Sequence, residues 1–247
     1  MNLQFTYSII IPAYDNHEMT ADCLESVAEC TIGGYEVILV DNGSNPHYQQ
    51  NGDARLKVIR NGSNLGFPVA INQGIEEANG EIIILLNNDC IVTPGWNVNM
   101  DRIIDYDILG PATNYCAGIQ QQTINMYNNK EELYSRAIEH HECAKSLPVL
   151  DVNWIIGFCM MFRKSLWEEL GPFDESLWPC SGEELDFCLR AKSAGYRIGV
   201  VQDTYIHHYG SQTFRKMGVD YNDICIRNET HVAKKWGSDF WNNQLVI

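Results

Sequence analysis

Within residues 1–90, four short apolar segments end one after another in polar, turn-forming clusters, and this recurrence constrains the fold more than any other feature. Tyr7–Ile11 runs into Pro12-Ala13-Tyr14-Asp15, and Tyr35–Val40 into Asp41-Asn42-Gly43-Ser44. Leu56–Arg60 runs into Asn61-Gly62-Ser63-Asn64-Leu65-Gly66, and Glu81–Leu86 into Asn87-Asn88-Asp89. Each segment has strand length and strand composition, and Pro12 reads as the stop of the first. Helical spacing lies between them. His17–Cys30 carries Cys23, Leu24, Val27 and Ala28 on one face before Gly33-Gly34, and Phe67–Ala78 is closed by Asn79-Gly80. Glu81–Leu86 is apolar on both faces, as a central parallel strand is. Repeated strand–helix–strand order predicts an α/β fold with a mainly parallel central sheet and helices on both faces.

In such a sheet, ligands bind outside the carboxyl ends of the strands. Asp, Asn and Gly are ordinary turn residues, so one such cluster says little. Four in succession converge on one edge. Beyond residue 110 the pattern loosens. Gln120–Ser146 is a polar surface excursion with a helix over Lys130–Cys143. Val152–Phe162 is a strand or a pair of strands, and Lys164–Leu170 is a short helix broken by Gly171-Pro172. Ser181–Ala194 is helical, Tyr196–Val201 a strand and Tyr221–Trp236 a terminal helix. With no internal repeat or low-complexity linker, one domain over residues 1–247 is expected, its halves (1–110 and 111–247) having different jobs.

Composition narrows the function. The chain has 17 Lys+Arg against 32 Asp+Glu, a formal net charge of −15, which repels polyanions and argues against a nucleic-acid partner. An anionic small ligand would need positive charge supplied locally, by backbone amides or a metal ion. The nine cysteines are odd in number and form no C-x-x-C pair, which predicts reduced thiols in a cytoplasmic compartment. MNLQFTYSIIIP lacks a basic leader region, and no apolar run approaches the roughly 20 residues that span a bilayer.

The ordered series SIIIPAYDN, VILVDNGSN, NLGFPVAINQGIEEANGEIIILLNNDCIVTPGW, GPATNY, GFCMMFRKSLWEELGPFDE, GEELDFCLRAKSAGYRI and VVQDTYIHHYG closely resembles glycosyltransferase family 2 from Ser8 to about Gly210. That family has the nucleotide-diphospho-sugar transferase (GT-A) fold. The resemblance implies that Pro12, Ala13 and Tyr14 line the nucleotide pocket, with Tyr14 against the base. It implies that Asp41 accepts a hydrogen bond from a ring N–H of the base, and that Asn64 and Gly66 contact the donor. Asn87-Asn88-Asp89 occupies the place of the family's acidic metal motif, here reduced to one carboxylate. Asp89 would then hold Mg2+ or Mn2+ against the diphosphate, with Asn88 on the ribose or a metal-bound water. Of His207 and His208, the family pattern favours His207 as the metal's histidine. If the chain is extended there, only one of the two can reach the site.

The resemblance also makes Glu184 of Glu183-Glu184-Leu185-Asp186 the general base, with Glu183 and Asp186 beside the acceptor. Ser181-Gly182-Glu183-Glu184 equally fits a helix capping box in which Glu184 reaches back to the Ser181 amide. Trp154 and Gly157 would border the acceptor, although Trp154 fits a core position equally well. Trp96, Trp167, Trp178 and Trp236 read as packing residues. The implied reaction is an inverting, metal-dependent transfer from a UDP-, dTDP- or GDP-linked sugar to the hydroxyl of a carbohydrate or other acceptor, in glycan synthesis. The acceptor could hold the enzyme at a membrane surface. The alternatives are a catalytically impaired module of the same fold and a glycoside hydrolase, which needs a flanking carboxylate pair and no nucleotide pocket. A nucleotidyltransferase would call for a Gly-rich loop bearing Lys or Arg near the N-terminus, which is absent.

Overall fold

The computed structural model describes residues 5–50, 52–101, 104–210 and 221–237. In chain order the elements are β1 (Tyr7–Ala13), α1 (His17–Cys30), β2 (Tyr35–Asp41), β3 (Leu56–Arg60), α2 (Phe67–Glu76), β4 (Ile82–Leu86), β5 (Cys90–Ile91) and α3 (Trp96–Asp101). There follow β6 (Ile108–Thr113), a 3-10 turn (Gly118–Gln120), α4 (Lys130–Ala144), β7 (Leu150–Val152), β8 (Cys159–Arg163), α5 (Lys164–Leu170), α6 (Glu183–Ser193), β9 (Ile198–His208) and α7 (Tyr221–Trp236).

Among the described residues the strands form one sheet in the order β3-β2-β1-β4-β8-β6-β9-β5, with β7 against β9. β1 is parallel to β2 and β4, β2 to β3, and β6 to β9. β8 runs antiparallel between β4 and β6, so those two and β9 point the same way. The sheet is mainly parallel, as expected. Strand alternation sends side chains to two faces. On one, Ile9, Ile11, Leu39 and Ile84 gather with Cys23 and Val27 of α1 and Trp96 of α3. On the other, Ile10, Ile38, Val40 and Leu85 gather with Ile71 and Ile75 of α2 and Phe187 of α6. Each buried Ile or Leu contributes roughly 1.5–3 kcal/mol, so the sheet is held from both sides.

β1 and β9 run two or more residues past their expected stops. β1 continues through Pro12 to Ala13, because its pairing with β4 ends at Ile10 and leaves one flank open where the missing N–H does no harm. β9 continues from Val201 to His208 across Gln202-Asp203-Thr204. The register with β6 jumps there from Pro111↔Val201 to Ala112↔Tyr205, so a bulge absorbs the polar residues. This extension brings the histidines to the edge that carries the polar ends of β1, β2 and β4.

Candidate active site

The site begins at the end of β2. Asp41 is completely buried. Its Oδ1 accepts the Ser44 N–H at 2.9 Å, and its Oδ2 accepts the Tyr48 N–H at 2.9 Å and Arg60 Nη1 at 2.6 Å. Burial pushes its pKa up, but the hydrogen bonds from Ser44, Tyr48 and Arg60 outweigh that and leave it below the usual range. Asn42, which the sequence did not single out, organises the next loop. Its Nδ2 donates to Asn64 Oδ1 at 3.1 Å and to the Gly66 carbonyl at 3.0 Å, while its Oδ1 accepts from Asn61 and the Leu65 N–H. Pro12 and Ala13 are buried beside this loop system and Tyr14 is half-buried.

Gly66 has φ 95, and a Cβ there would lie 2.7 Å from Trp178 Cδ1, so glycine is required on both counts. The Phe67 N–H donates to the Pro179 carbonyl at 2.6 Å, joining the Asn64–Gly66 loop to the loop before α6. Trp178 packs, as expected, with its ring against Gly66, although it is 45% exposed.

Beyond β4, Asn88 is buried and its amide donates to Thr20 Oγ1 at 2.9 Å, which ties the turn to α1. Asp89 is buried too, and Asp89 Oδ1 lies 3.3 Å from His208 Nε2. It is His208, not His207, that reaches Asp89. β5 pairs Cys90 with His208 and Ile91 with His207, and this register decides which ring faces which side. His207 accompanies Ile91 on the other side, where its Nδ1 is 2.6 Å from the Tyr127 hydroxyl. There it lines a cavity of about 400 Å³ with Tyr127, Tyr209, Asp22 and Glu25.

His208 is tightly oriented. Its Nδ1 is 2.8 Å from the Tyr115 carbonyl, its N–H donates to Asn114 Oδ1 at 2.8 Å, and its ring stacks on Phe158. A carbonyl can only accept, so Nδ1 carries a proton, and in the neutral ring Nε2 presents a lone pair. Nε2 is buried, has no hydrogen-bond partner, and faces a carboxylate oxygen. With the ring neutral, Nε2 and the facing carboxylate oxygen can share a cation, and Asp89, Cys90 and His208 present ligand atoms within 4.8 Å of one another. Cys90 Sγ donates to the Phe158 carbonyl at 3.8 Å, and the carboxylate oxygen and imidazole nitrogen suit an ion such as Mn2+ better than a thiol does. The residues fit a divalent ion.

At α6 the capping-box expectation shifts by one residue. Ser181 (φ 75) and Gly182 (φ 95) are both left-handed and Gly182 is the N-cap, so Glu184 takes the Gly182 N–H at 3.2 Å and not that of Ser181. Glu184 is half-buried. The Gly157 N–H also donates to it, and a Cβ on Gly157 would lie 3.2 Å from its Cβ. Burial raises the Glu184 pKa against the pull of these backbone donors. Burial raises Glu183 further, with the neighbouring Glu184 charge adding to it, and Glu183 Oε2 is buried without a partner. Trp154 is half-buried and its indole N–H also lacks a partner. Asp186 is drawn elsewhere, to Arg190 Nε at 3.0 Å, Trp236 Nε1 at 2.9 Å and Lys235 Nζ at 2.8 Å.

A family model described as glycosyl transferase family 2 matches residues 8–171. Glycosyltransferase AglE of Haloferax volcanii is 26% identical over 204 residues, covering 79% of this chain and 64% of AglE. The chain spans 20% to 64% of the length of its first curated relatives. Among solved structures, GalNAc-T7 with UDP, GalNAc and Mn2+ gives a TM-score of 0.67 at 17% identity, over 96% of this chain and 50% of that one. Mannosyltransferase PcManGT from Pyrobaculum calidifontis, in complex with GDP-Man and Mn2+, gives 0.61 at 15% identity, over 85% of this chain and 59% of its own. At these identities the likeness is one of fold, the GT-A fold.

Proposed function

The chain belongs to glycosyl transferase family 2, and we propose that it moves a sugar from a UDP-, dTDP- or GDP-linked donor to an acceptor hydroxyl, inverting the anomeric carbon. The observation that carries this reading is the Asp89 carboxylate facing His208 Nε2, which is buried without a hydrogen-bond partner, at the carboxyl edge of the sheet. Bound by these two side chains, Mg2+ or Mn2+ supplies Lewis acidity toward a diphosphate leaving group.

Residues 1–110 form the donor half in this reading. Pro12, Ala13 and Tyr14 border the nucleotide, and the loop of Asn64 and Gly66 approaches the diphosphate-linked sugar. Residues 111–247 form the acceptor half, with Trp154, Gly157 and Glu183 around the incoming hydroxyl and Asp186 anchoring α6 to α7. Glu184 is the general base. The acceptor O–H proton passes to its carboxylate as the oxygen bonds to the anomeric carbon and the bond to the diphosphate oxygen breaks. One displacement inverts the centre and needs no covalent intermediate. A carboxyl raised above its ordinary pKa by burial is a stronger proton acceptor than a free glutamate, and the Gly182 and Gly157 N–H groups hold it in place. No helix among the described residues is long and apolar enough to cross a membrane.

A thermal-shift panel of UDP-, dTDP- and GDP-sugars with and without Mn2+ tests this. A donor-specific stabilisation that depends on Mn2+ is expected, followed by a product whose anomeric configuration, read by NMR, is opposite to the donor's. No stabilisation by any nucleotide sugar would refute the reading.

A further inference from the structure

The short ladder of β5 and β9 has a second side that the reading above leaves unused. The register that turns His208 toward Asp89 turns His207 away from it. The next residue, Tyr209, donates its N–H to the Asp89 carbonyl at 3.0 Å. His207 and Tyr209 line the cavity of about 400 Å³ on that side, a size within the roughly 300–1,000 Å³ of small-molecule pockets. Asp22 and Glu25 of α1 border it on one flank, and Lys130 and Leu133 at the start of α4 on another.

The lining selects by charge. Asp22, Glu25 and the neighbouring Glu29 oppose an anion, which excludes a phosphate or a nucleotide. Lys130 Nζ lies 2.6 Å from Glu25 Oε2 and 3.1 Å from Glu29 Oε2, so this cation and those two carboxylates are committed to one another. A metal ion needs several oxygen ligands, and among the described residues the one group that could hold a metal is Asp89, Cys90 and His208. An organic cation prefers ring faces turned to one centre, whereas the His207 ring stands at 82° to Tyr127 and 84° to Tyr209. What the cavity suits is a neutral ligand with hydroxyl groups for the Asp22 carboxylate and the Asn128 amide. Its apolar face would lie on Tyr209, which is 42% exposed.

We propose that this cavity binds a neutral sugar, apart from the donor site, with Tyr209 and Asp22 as its principal contacts. Binding of this kind needs neither metal nor nucleotide, so it is independent of the nucleotide-sugar reading. The same chemistry fits a free monosaccharide and one sugar unit of a longer glycan.

The test is an NMR titration of the full chain, labelled at its Ile and Leu methyls, without metal or nucleotide. The ligands are glucose, mannose and N-acetylglucosamine, and their tetrasaccharides maltotetraose, mannotetraose and chitotetraose. At least one should shift the Ile91 and Leu133 methyls, which line the cavity. Tyr209→Ala removes the ring but keeps the N–H on the Asp89 carbonyl, and it should abolish those shifts at concentrations that saturate the parent. Asp22→Asn replaces a charged acceptor by a neutral one and should weaken binding about fivefold. Tighter binding of a tetrasaccharide than of its monosaccharide would assign the site to a glycan, and equal binding to a free sugar. No shift of Ile91 and Leu133 with any of the six would overturn the proposal. So would shifts that persist in Tyr209→Ala, or tetramethylammonium or inorganic phosphate acting at lower concentration than any sugar. Any of these failures leaves the nucleotide-sugar reading standing, because no nucleotide is present. Melting curves of each variant establish that it is folded.

Discussion

Replacing Glu184 by Gln separates catalysis from helix capping, because the structure lets both effects be sized. The amide oxygen of Gln can still accept the Gly182 N–H now held at 3.2 Å, so the cap survives. What is lost is a negative charge at the start of α6, worth about 0.3–1 kcal/mol at a helix N-terminus. Against that, burial opposes the ionised form of Glu184, so removing the charge returns part of the loss. The net change should stay within about 1 kcal/mol, or roughly 2–4 °C in Tm for a domain of this size. Transfer should fall much further, by about 10²–10⁴-fold, the contribution of a positioned base. Donor affinity should be unchanged, because the carboxyl acts on the acceptor. The parent's kcat/KM should rise with pH through a pKa above the ordinary glutamate value of about 4.3, since the base works only when deprotonated, and the variant should lack that limb. Initial rates across pH, calorimetry with donor, and melting curves decide it. Full activity with a Tm several degrees lower would show that Glu184 caps the helix and does no chemistry.

With nucleoside diphosphate present, Mn2+ titrations should show the greatest loss for Asp89→Ala, a clear loss for His208→Ala and near-parent binding for His207→Ala. The reverse order of the two histidines would refute the metal pair. Glu183→Gln should melt higher than the parent at about pH 8. A carboxyl raised by burial and by Glu184 favours its neutral form, so its stabilising contribution is present below about pH 4.3 and lost as pH rises through the folded pKa. The gap should therefore close on acidification, and a gap that widens would reject the assignment. Gly157→Ala puts a methyl 3.2 Å from Glu184 Cβ, and kcat should fall about tenfold or more with little change in donor KM. Parent-like kcat would show that the base tolerates displacement.

The sequence is legible wherever a signal is local. α1 spans His17–Cys30 as the apolar spacing and Gly33-Gly34 indicate, and β3, α5 and α7 match their expected bounds. β9 runs past the expected end at Val201 because Gln202-Asp203-Thr204 form a bulge within the strand, which only the pairing with β6 shows. Which of His207 and His208 lies beside Asp89 is hidden for the same reason, since it hangs on a register with β5, far away in the chain. The S-x-x-E pattern misled by one residue because two successive left-handed residues, Ser181 and Gly182, delay the helix. The hydrogen bonds on Asp41 and the bracing of the Asn64–Gly66 loop by Asn42 depend on partners from several loops, which no spacing rule reports.

The adjacent histidines at the end of β9 also bear on how such a chain can vary. β5 fixes their facing through only two residue pairs, and the bulge upstream already holds extra residues out of register. Inserting one residue in that bulge would turn the strand end over and bring His207 into the place of His208 beside Asp89, with an imidazole still in position, whereas deleting one would bring Tyr209 there. The site is thus buffered against a single-residue insertion, but not a deletion, in a segment where length changes are most easily absorbed. A chain with one histidine at this strand end would lack that buffer.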